Sequence, residues 1–164
     1  MSEVVETSGE DQSLELLNGL IAKPCTPVFY AENYEIIRAS ILAGMGVEKF
    51  DHALADRLES AIKNGMVELW ILFEPSEDTP RFCGSLTFFI ATDVLLATKY
   101  LYIYSLHCSK KVPLEAWRQP FITLFRHAEQ AGGKVIWGRT ALPHVEEIAR
   151  DNGFTVSAHL ERTV

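Results

Sequence analysis

The chain has 164 residues, 48% hydrophobic and 23% charged, a balance that fits one globular domain with its own core and excludes a disordered chain. A formal net charge of −7 excludes the broad basic surface of a general nucleic-acid binder, while leaving room for a local basic loop that holds a small anion. No apolar run reaches the roughly 18 residues of a membrane-spanning helix, and Cys25, Cys83 and Cys108 are too scattered for a disulfide framework or a zinc cluster, so three reduced structural thiols are expected.

Met1 to Gln12 is a polar tail carrying Glu3, Glu6, Glu10 and Asp11. Its acidic start is unlike the basic start of a signal peptide, which predicts a cytoplasmic protein. Ser13 caps a short amphipathic helix with Leu14, Leu17, Leu20 and Ile21 on one side, stopped by Pro24. Residues 1–24 therefore form an acidic tail with one helix, and residues 25–164 form a single domain. Cys25 to Tyr30 reads as a short edge strand, because it contains Pro27. A helix over Glu32–Ala43 follows, with Tyr34, Ile37, Ile41 and Leu42 facing inward, ended by Gly44 and Gly46. Asp51 caps a second helix over His52–Lys63, with Leu54, Leu58, Ala61 and Ile62 inward, and Asn64-Gly65 ends it.

Met66–Phe73 and Phe82–Ala91 read as a hairpin joined by the polar turn Glu74–Pro80. A turn near Thr92-Asp93, apolar at Val94-Leu95-Leu96, leads to a third strand, Tyr100–Cys108. The chain then breaks into the basic loop Ser109-Lys110-Lys111-Val112-Pro113 and a helix-period run at Leu114, Trp117, Phe121, Leu124, Phe125 and Ala128. Pro120 interrupts that helix unless it starts late, near Arg118. A strand-loop-helix junction offers unpaired N–H groups and a partial positive charge to an anion. Lys110 and Lys111 either grip such an anion or belong to a solvated loop. Gly132-Gly133 turns the chain into a buried strand, Lys134–Gly138. A short helix over Pro143–Asp151, ended by Asn152-Gly153, precedes a last strand from Phe154 to Thr163. Trp70, Trp117 and Trp137 read as core.

This order, with Ala128 before Gly132-Gly133 and Glu146-Glu147-Ile148-Ala149-Arg150-Asp151-Asn152-Gly153-Phe154 near the end, resembles the GNAT N-acetyltransferase superfamily over roughly residues 25–163. The resemblance implies an α/β fold with a mixed, mostly antiparallel central sheet and helices on both faces. It also implies acetyl-CoA at the strand-loop-helix junction, held by Leu106, Cys108, Lys110, Lys111 and Ala116. Against the family's R/Q-x-x-G-x-G/A signature, Lys111 takes the first position, Leu114 the first glycine and Ala116 the last small residue. Leu114 puts a side chain where backbone approaches phosphate, Glu115 adds a negative charge, and Pro113 removes a donor N–H. Against the family's N-x-x-A-x-x-x-Y-x-x-x-G-F motif, Leu142 replaces the asparagine and Ala149 the tyrosine acid, leaving Tyr102, Tyr104 or water as proton sources. The chain is a degenerate member by this comparison.

Acyl transfer to an amine needs a polarised carbonyl, a base and an acid. Main-chain N–H groups near Leu106–Cys108 are placed to polarise the carbonyl. His107 is either the base or a structural histidine at a strand end. Glu68 is either a second candidate base or an outward-facing strand residue. Cys108 lacks a Cys-His-Asp arrangement and reads as buried, His52, His127 and His159 stand isolated, and His144 with Glu146 and Glu147 lacks His-Glu-x-x-His spacing, so no metal site is expected. Two functions follow. One is an acyl-CoA-dependent N-acyltransferase acting on a small amine or a protein. The other is a non-catalytic assembly module docking through residues 1–22, resembling motif-poor GNAT-like domains among phage virion proteins, which would place it in a virion or the host cytoplasm.

Overall fold

Five strands lie side by side in chain order in one sheet: β1 (Ile21–Pro24), β2 (Glu68–Glu74), β3 (Arg81–Asp93), β4 (Thr98–Cys108) and β5 (Gly133–Gly138). The first four pair antiparallel and β5 runs parallel to β4. The computed structural model describes residues 19–76, 79–140 and 142–155. Helices α1 (Pro27–Gly44) and α2 (His52–Lys63) cover one face, and α3 (Arg118–Gln130) and α4 (Pro143–Asp151) the other. This is the expected mixed, mostly antiparallel α/β architecture.

Each face buries its own cluster. Leu69 and Ile71 of β2 meet Ile37, Ile41 and Leu42 of α1 and Ala55 and Leu58 of α2. Trp70 and Leu72, one residue out of step on the same strand, point the other way, onto Leu86, Phe88, Leu101, Phe121 and Leu124. This alternation is the strand period of two, and it makes β2 apolar on both sides. Arg38 ties α1 to α2 through Asp56 at 2.5 Å and Glu59 at 3.6 Å.

The first elements differ from the sequence reading. Ile21 to Pro24 is strand, not the end of a helix, and it pairs along β2 from Ile21↔Phe73 to Pro24↔Trp70. The expected strand from Cys25 is the start of α1. Thr26 caps that helix, its Oγ1 accepting from the Phe29 N–H at 3.2 Å, and Pro27 occupies the first turn, where a missing N–H costs nothing. Gly19 and Leu20, at the end of the expected helix, are not helical; its earlier residues 13–18 and the last strand beyond Thr155 lie outside the described residues. The late start considered for the central helix is what occurs: a 3-10 turn at Leu114–Trp117 precedes α3, which begins at Arg118 with Pro120 in its first turn.

β5 is less buried than expected. Ile136 joins the core, but Val135 is 45% and Trp137 60% exposed, because α1 covers β4 and β3 and leaves this corner of the sheet open. The β3–β4 hairpin ends in an exposed tip, Val94, Leu95 and Leu96, where the Asp93 carboxylate accepts from the Leu95 and Leu96 N–H groups at 2.9 and 3.0 Å.

The end of β4 is packed against two glycines. A Cβ on Gly84 of β3 would lie 2.0 Å from the His107 carbonyl oxygen, and one on Gly44 of α1 would lie 3.0 Å from the Leu106 main chain. Gly84→Ala is therefore expected to destabilise the protein by roughly 3 kcal/mol, as overpacking against a rigid backbone does. Gly138→Ala, whose Cβ would make an ordinary 3.5 Å contact with Ile103, should stay within about 1 kcal/mol, both variants being compared with the wild type by urea melts.

Candidate active site

β4 is where the sheet opens. β5 pairs with it from Lys99↔Gly133 to Ile103↔Gly138 and then ends. Past Ile103, β4 continues to Cys108 bonded to β3, and among the described residues the side of Tyr104–Cys108 that faced β5 has no strand partner. The two strands thus part in a wedge, with a row of main-chain N–H and C=O groups along one wall.

A bulge sits at the apex of this wedge. β3 pairs Thr87 with Ser105 but Phe88 with Ile103, leaving Tyr104 as an extra residue. The bulge swaps the parity of the strand. Leu101 and Ile103 face the α3 core before it, and Leu106 and Cys108 face the same core after it. Ser105 and His107 are thereby turned toward α1. Tyr104 is 37% exposed.

Two chain ends approach the wedge. The α1 terminus closes on it through Gly44, beside Leu106. The start of α4 approaches that terminus, with the Leu142 side chain 3.8 Å from where a Gly46 Cβ would stand. The Ala116 carbonyl of the Leu114–Trp117 turn accepts from the Leu20 N–H at 2.9 Å, which ties that turn to the chain just before β1. Two cavities lie elsewhere. One of about 610 Å³ is lined by Phe125, β5 and Asn152–Thr155; the other, about 690 Å³, lies between β1, α1 and α2 beside Tyr30 and Glu59.

His107 sits in the wedge wall within a buried polar ladder. Its Nδ1 is 3.0 Å from Ser40 Oγ, which is 2.7 Å from Ser85 Oγ; one step along, Thr87 and Ser105 share a 2.7 Å hydroxyl bond. Burial first, then the neighbouring His144, holds the imidazole below its ordinary pKa. The ring is thus neutral at neutral pH, with one nitrogen tied to Ser40 and the other able to exchange a proton.

Glu68 does not join it. It lies on the opposite sheet face, where its carboxylate is 3.1 Å from Nε2 of His127 on α3, beside Trp70 and Phe88. The structure therefore brings the two candidate bases to opposite sides of the sheet, and His127, read as isolated, is the partner of Glu68. Lys110 spends its ammonium on Glu74 at 2.5 Å, which lowers the Glu74 pKa. Lys111 is exposed, Leu106 and Ala116 are buried in the core, and Cys108 is half-buried. The delayed start of α3 moves its N-terminus away from both lysines.

The sequence reading missed Tyr104 as a bulge, and Ser40, Ser85 and His144 as the surroundings of His107. The bulge had a signal: apolar residues switch from odd positions at 101 and 103 to even positions at 106 and 108, which an uninterrupted strand does not allow.

The sheet that splits beside a bulged strand can be set against solved structures. No protein-family model matches the chain, and no curated protein matches it in sequence. The fold is similar to a GNAT-family acetyltransferase from Staphylococcus aureus, at 10% identity and TM-score 0.63 over 89% of this chain and 99% of that one. It is also similar to an aminoglycoside acetyltransferase from a soil metagenomic sample, solved with sisomicin, at 12% identity and TM-score 0.64 over 90% and 95%. A transcriptional regulator from Bacillus halodurans matches at 15% identity and TM-score 0.64 over 88% and 99%. The chain has the GNAT fold.

His107 gives this site a pH signature. The unfolded chain takes a proton on this imidazole near pH 6.5, where the folded protein still resists it, so the unfolded state binds more protons. Stability should fall as pH drops below about 6.5. His107→Gln should make the loss of melting temperature between about pH 7.5 and about pH 5.5 measurably smaller than in the wild type.

Proposed function

We propose that the chain is a divergent acyl-CoA-dependent N-acyltransferase whose acyl carrier lies along the free edge of β4. The observation that carries this reading is the wedge itself: a bulged strand whose main-chain N–H groups have lost their strand partner beside a neutral, half-buried imidazole. Acetyl-CoA, when bound, supplies an activated acyl group. The residues present fit the thioester end of such a molecule better than its diphosphate. Tyr104–Cys108 offers preorganised main-chain donors to a carbonyl oxygen. At the loop, Lys111 remains exposed for phosphate, while Lys110 is held by Glu74, Pro113 lacks an N–H, and Leu114 and Glu115 follow.

In this reading His107 takes the proton of the attacking amine, with Ser40 and Ser85 holding the ring in place. Tyr104 stands in for the absent tyrosine of the closing helix, where Ala149 instead lends its carbonyl to the Phe154 N–H. The acceptor is a small amine or a protein amine. The aminoglycoside-bound neighbour supports a polyamine sugar as the first acceptor to try.

Calorimetric titration with acetyl-CoA, beside a melt in excess ligand, tests the proposal. Binding with roughly 2.7 kcal/mol of stabilisation at a hundredfold excess over Kd is expected. No heat and no melting shift up to millimolar ligand would overturn it, and would favour the non-catalytic assembly role. Lys111→Ala should weaken binding roughly tenfold, about 1.4 kcal/mol for one charge-assisted contact. Once an acceptor is found, Tyr104→Phe should lower kcat roughly a hundredfold with little change in KM, as loss of a general acid does.

A further inference from the structure

A second piece of unusual chemistry lies on the other face of the same strand end. β3 carries an extra residue against β2, because Leu72 pairs with Gly84 and Phe73 with Phe82, leaving Cys83 between them. The irregularity turns Cys83 into the α3 core beside Leu72 and Leu86, on the face that Cys108 also occupies. Cys108 lies directly opposite Gly84, and only a glycine there lets it come so close: a Cβ on Gly84 would stand 2.9 Å from the Cys108 Cα. Two thiols from different strands are thereby brought together.

Their surroundings make them unequal. Cys83 is fully buried, and its S–H donates to the Leu72 carbonyl at 3.3 Å. Cys108 is half-buried, at the start of the turn that carries Lys110. The pair is anchored from outside as well. The Ser109 N–H and Oγ both donate to the Cys83 carbonyl, at 2.7 and 2.9 Å, so the turn after Cys108 is stitched to the residue before Gly84.

We propose that Cys83 and Cys108 form a redox-active dithiol, with Cys108 the attacking thiolate and Cys83 the resolving thiol, and hydroperoxides as the oxidant class. In the first step the Cys108 sulfur attacks the terminal oxygen of the peroxide. The O–O bond breaks, the leaving alkoxide or hydroxide takes a proton, and Cys108 becomes a sulfenic acid. In the second step the Cys83 sulfur attacks Cys108, the S–O bond breaks, and water leaves with the Cys83 proton. The two sulfurs lose two electrons between them and the peroxide gains two. Burial alone would raise both pKa values; here the neighbouring Cys83 thiol, with Lys110 behind it, holds Cys108 down to about 7, and Cys83 is pushed up. Cys25, on the far side of the sheet and raised by burial alone, is the internal comparison. This inference stands whether or not the wedge binds an acyl carrier.

Peroxide treatment of the full chain at neutral pH, followed by alkylation of remaining thiols and peptide mapping, tests it. The expected product is a single Cys83–Cys108 disulfide with Cys25 still alkylated. In Cys83→Ser, dimedone should trap the sulfenic acid at Cys108; in Cys108→Ser, Cys83 should stay a thiol. The proposal is overturned if no Cys83–Cys108 peptide forms while Cys25 oxidises at least as fast. Because replacing the buried Cys83 can prevent folding, the wild type gives an independent reading. Cys108 alkylation by iodoacetamide in the folded protein should rise with a midpoint near pH 7, and a midpoint at the ordinary thiol value of about 8.5 overturns the assignment.

Discussion

The last turn of β4 is held between two backbones that leave no room for a side chain. Gly44 brings the end of α1 down onto Leu106, and Gly84 lets β3 pass beneath His107 and Cys108. Dense packing of this kind transmits position, because neither backbone can yield by rotating a side chain. The direction of His107, the meeting of the two thiols and the course of the loop through Lys110 all follow from it. A strand end left free on its β5 side would otherwise fray. Here it is fixed from two other directions, which is how an unpaired edge persists inside a sheet.

The two faces of this strand end carry opposite chemistry. Toward α1 lie Ser40, Ser85, Thr87 and Ser105, all buried, and half-buried His107. Each of these hydroxyls has a partner, so none incurs the roughly 1–3 kcal/mol cost of a buried unsatisfied group. Toward α3 lie Leu86, Leu106 and Trp117, with the two thiols at the border. The Tyr104 bulge makes this division possible: it shifts one residue of a continuous strand, so that apolar side chains stay in the α3 core on both sides of the irregularity. Polar groups and core are thereby separated within the eleven residues of β4.

Much of the architecture was legible in the sequence, because helix caps and strand alternation are local. Asp51 capping α2, the Pro143–Asp151 helix and the late start forced by Pro120 are each decided within one or two turns. The errors arose where a distant partner decides. Ile21 continues an apolar helical spacing in sequence, but the exposed edge of β2 offers it a row of hydrogen bonds instead. Pro27 is uncommon in strands and common at helix starts, and Thr26 before it decided in favour of the helix. The run Val135-Ile136-Trp137 is apolar enough to suggest full burial, yet nothing local says that α1 stops short of it. At the site, Glu68 and His107 were both plausible bases until parity separated them. The partner of Glu68 is 59 residues away and that of His107 is 67, beyond any periodic signal.

The three tryptophans occupy two optical environments. Trp70 and Trp117 are sealed in the α3-side core, while Trp137 stands open to water on β5, opposite Tyr102 and one residue short of where the sheet divides. Emission from the buried pair belongs to the folded core, and the red-shifted, quencher-accessible component belongs to Trp137. The molecule thus carries its own fluorescent reporter at the mouth of the wedge. Occupancy there would register as a change in one tryptophan, while loss of fold would register in all three.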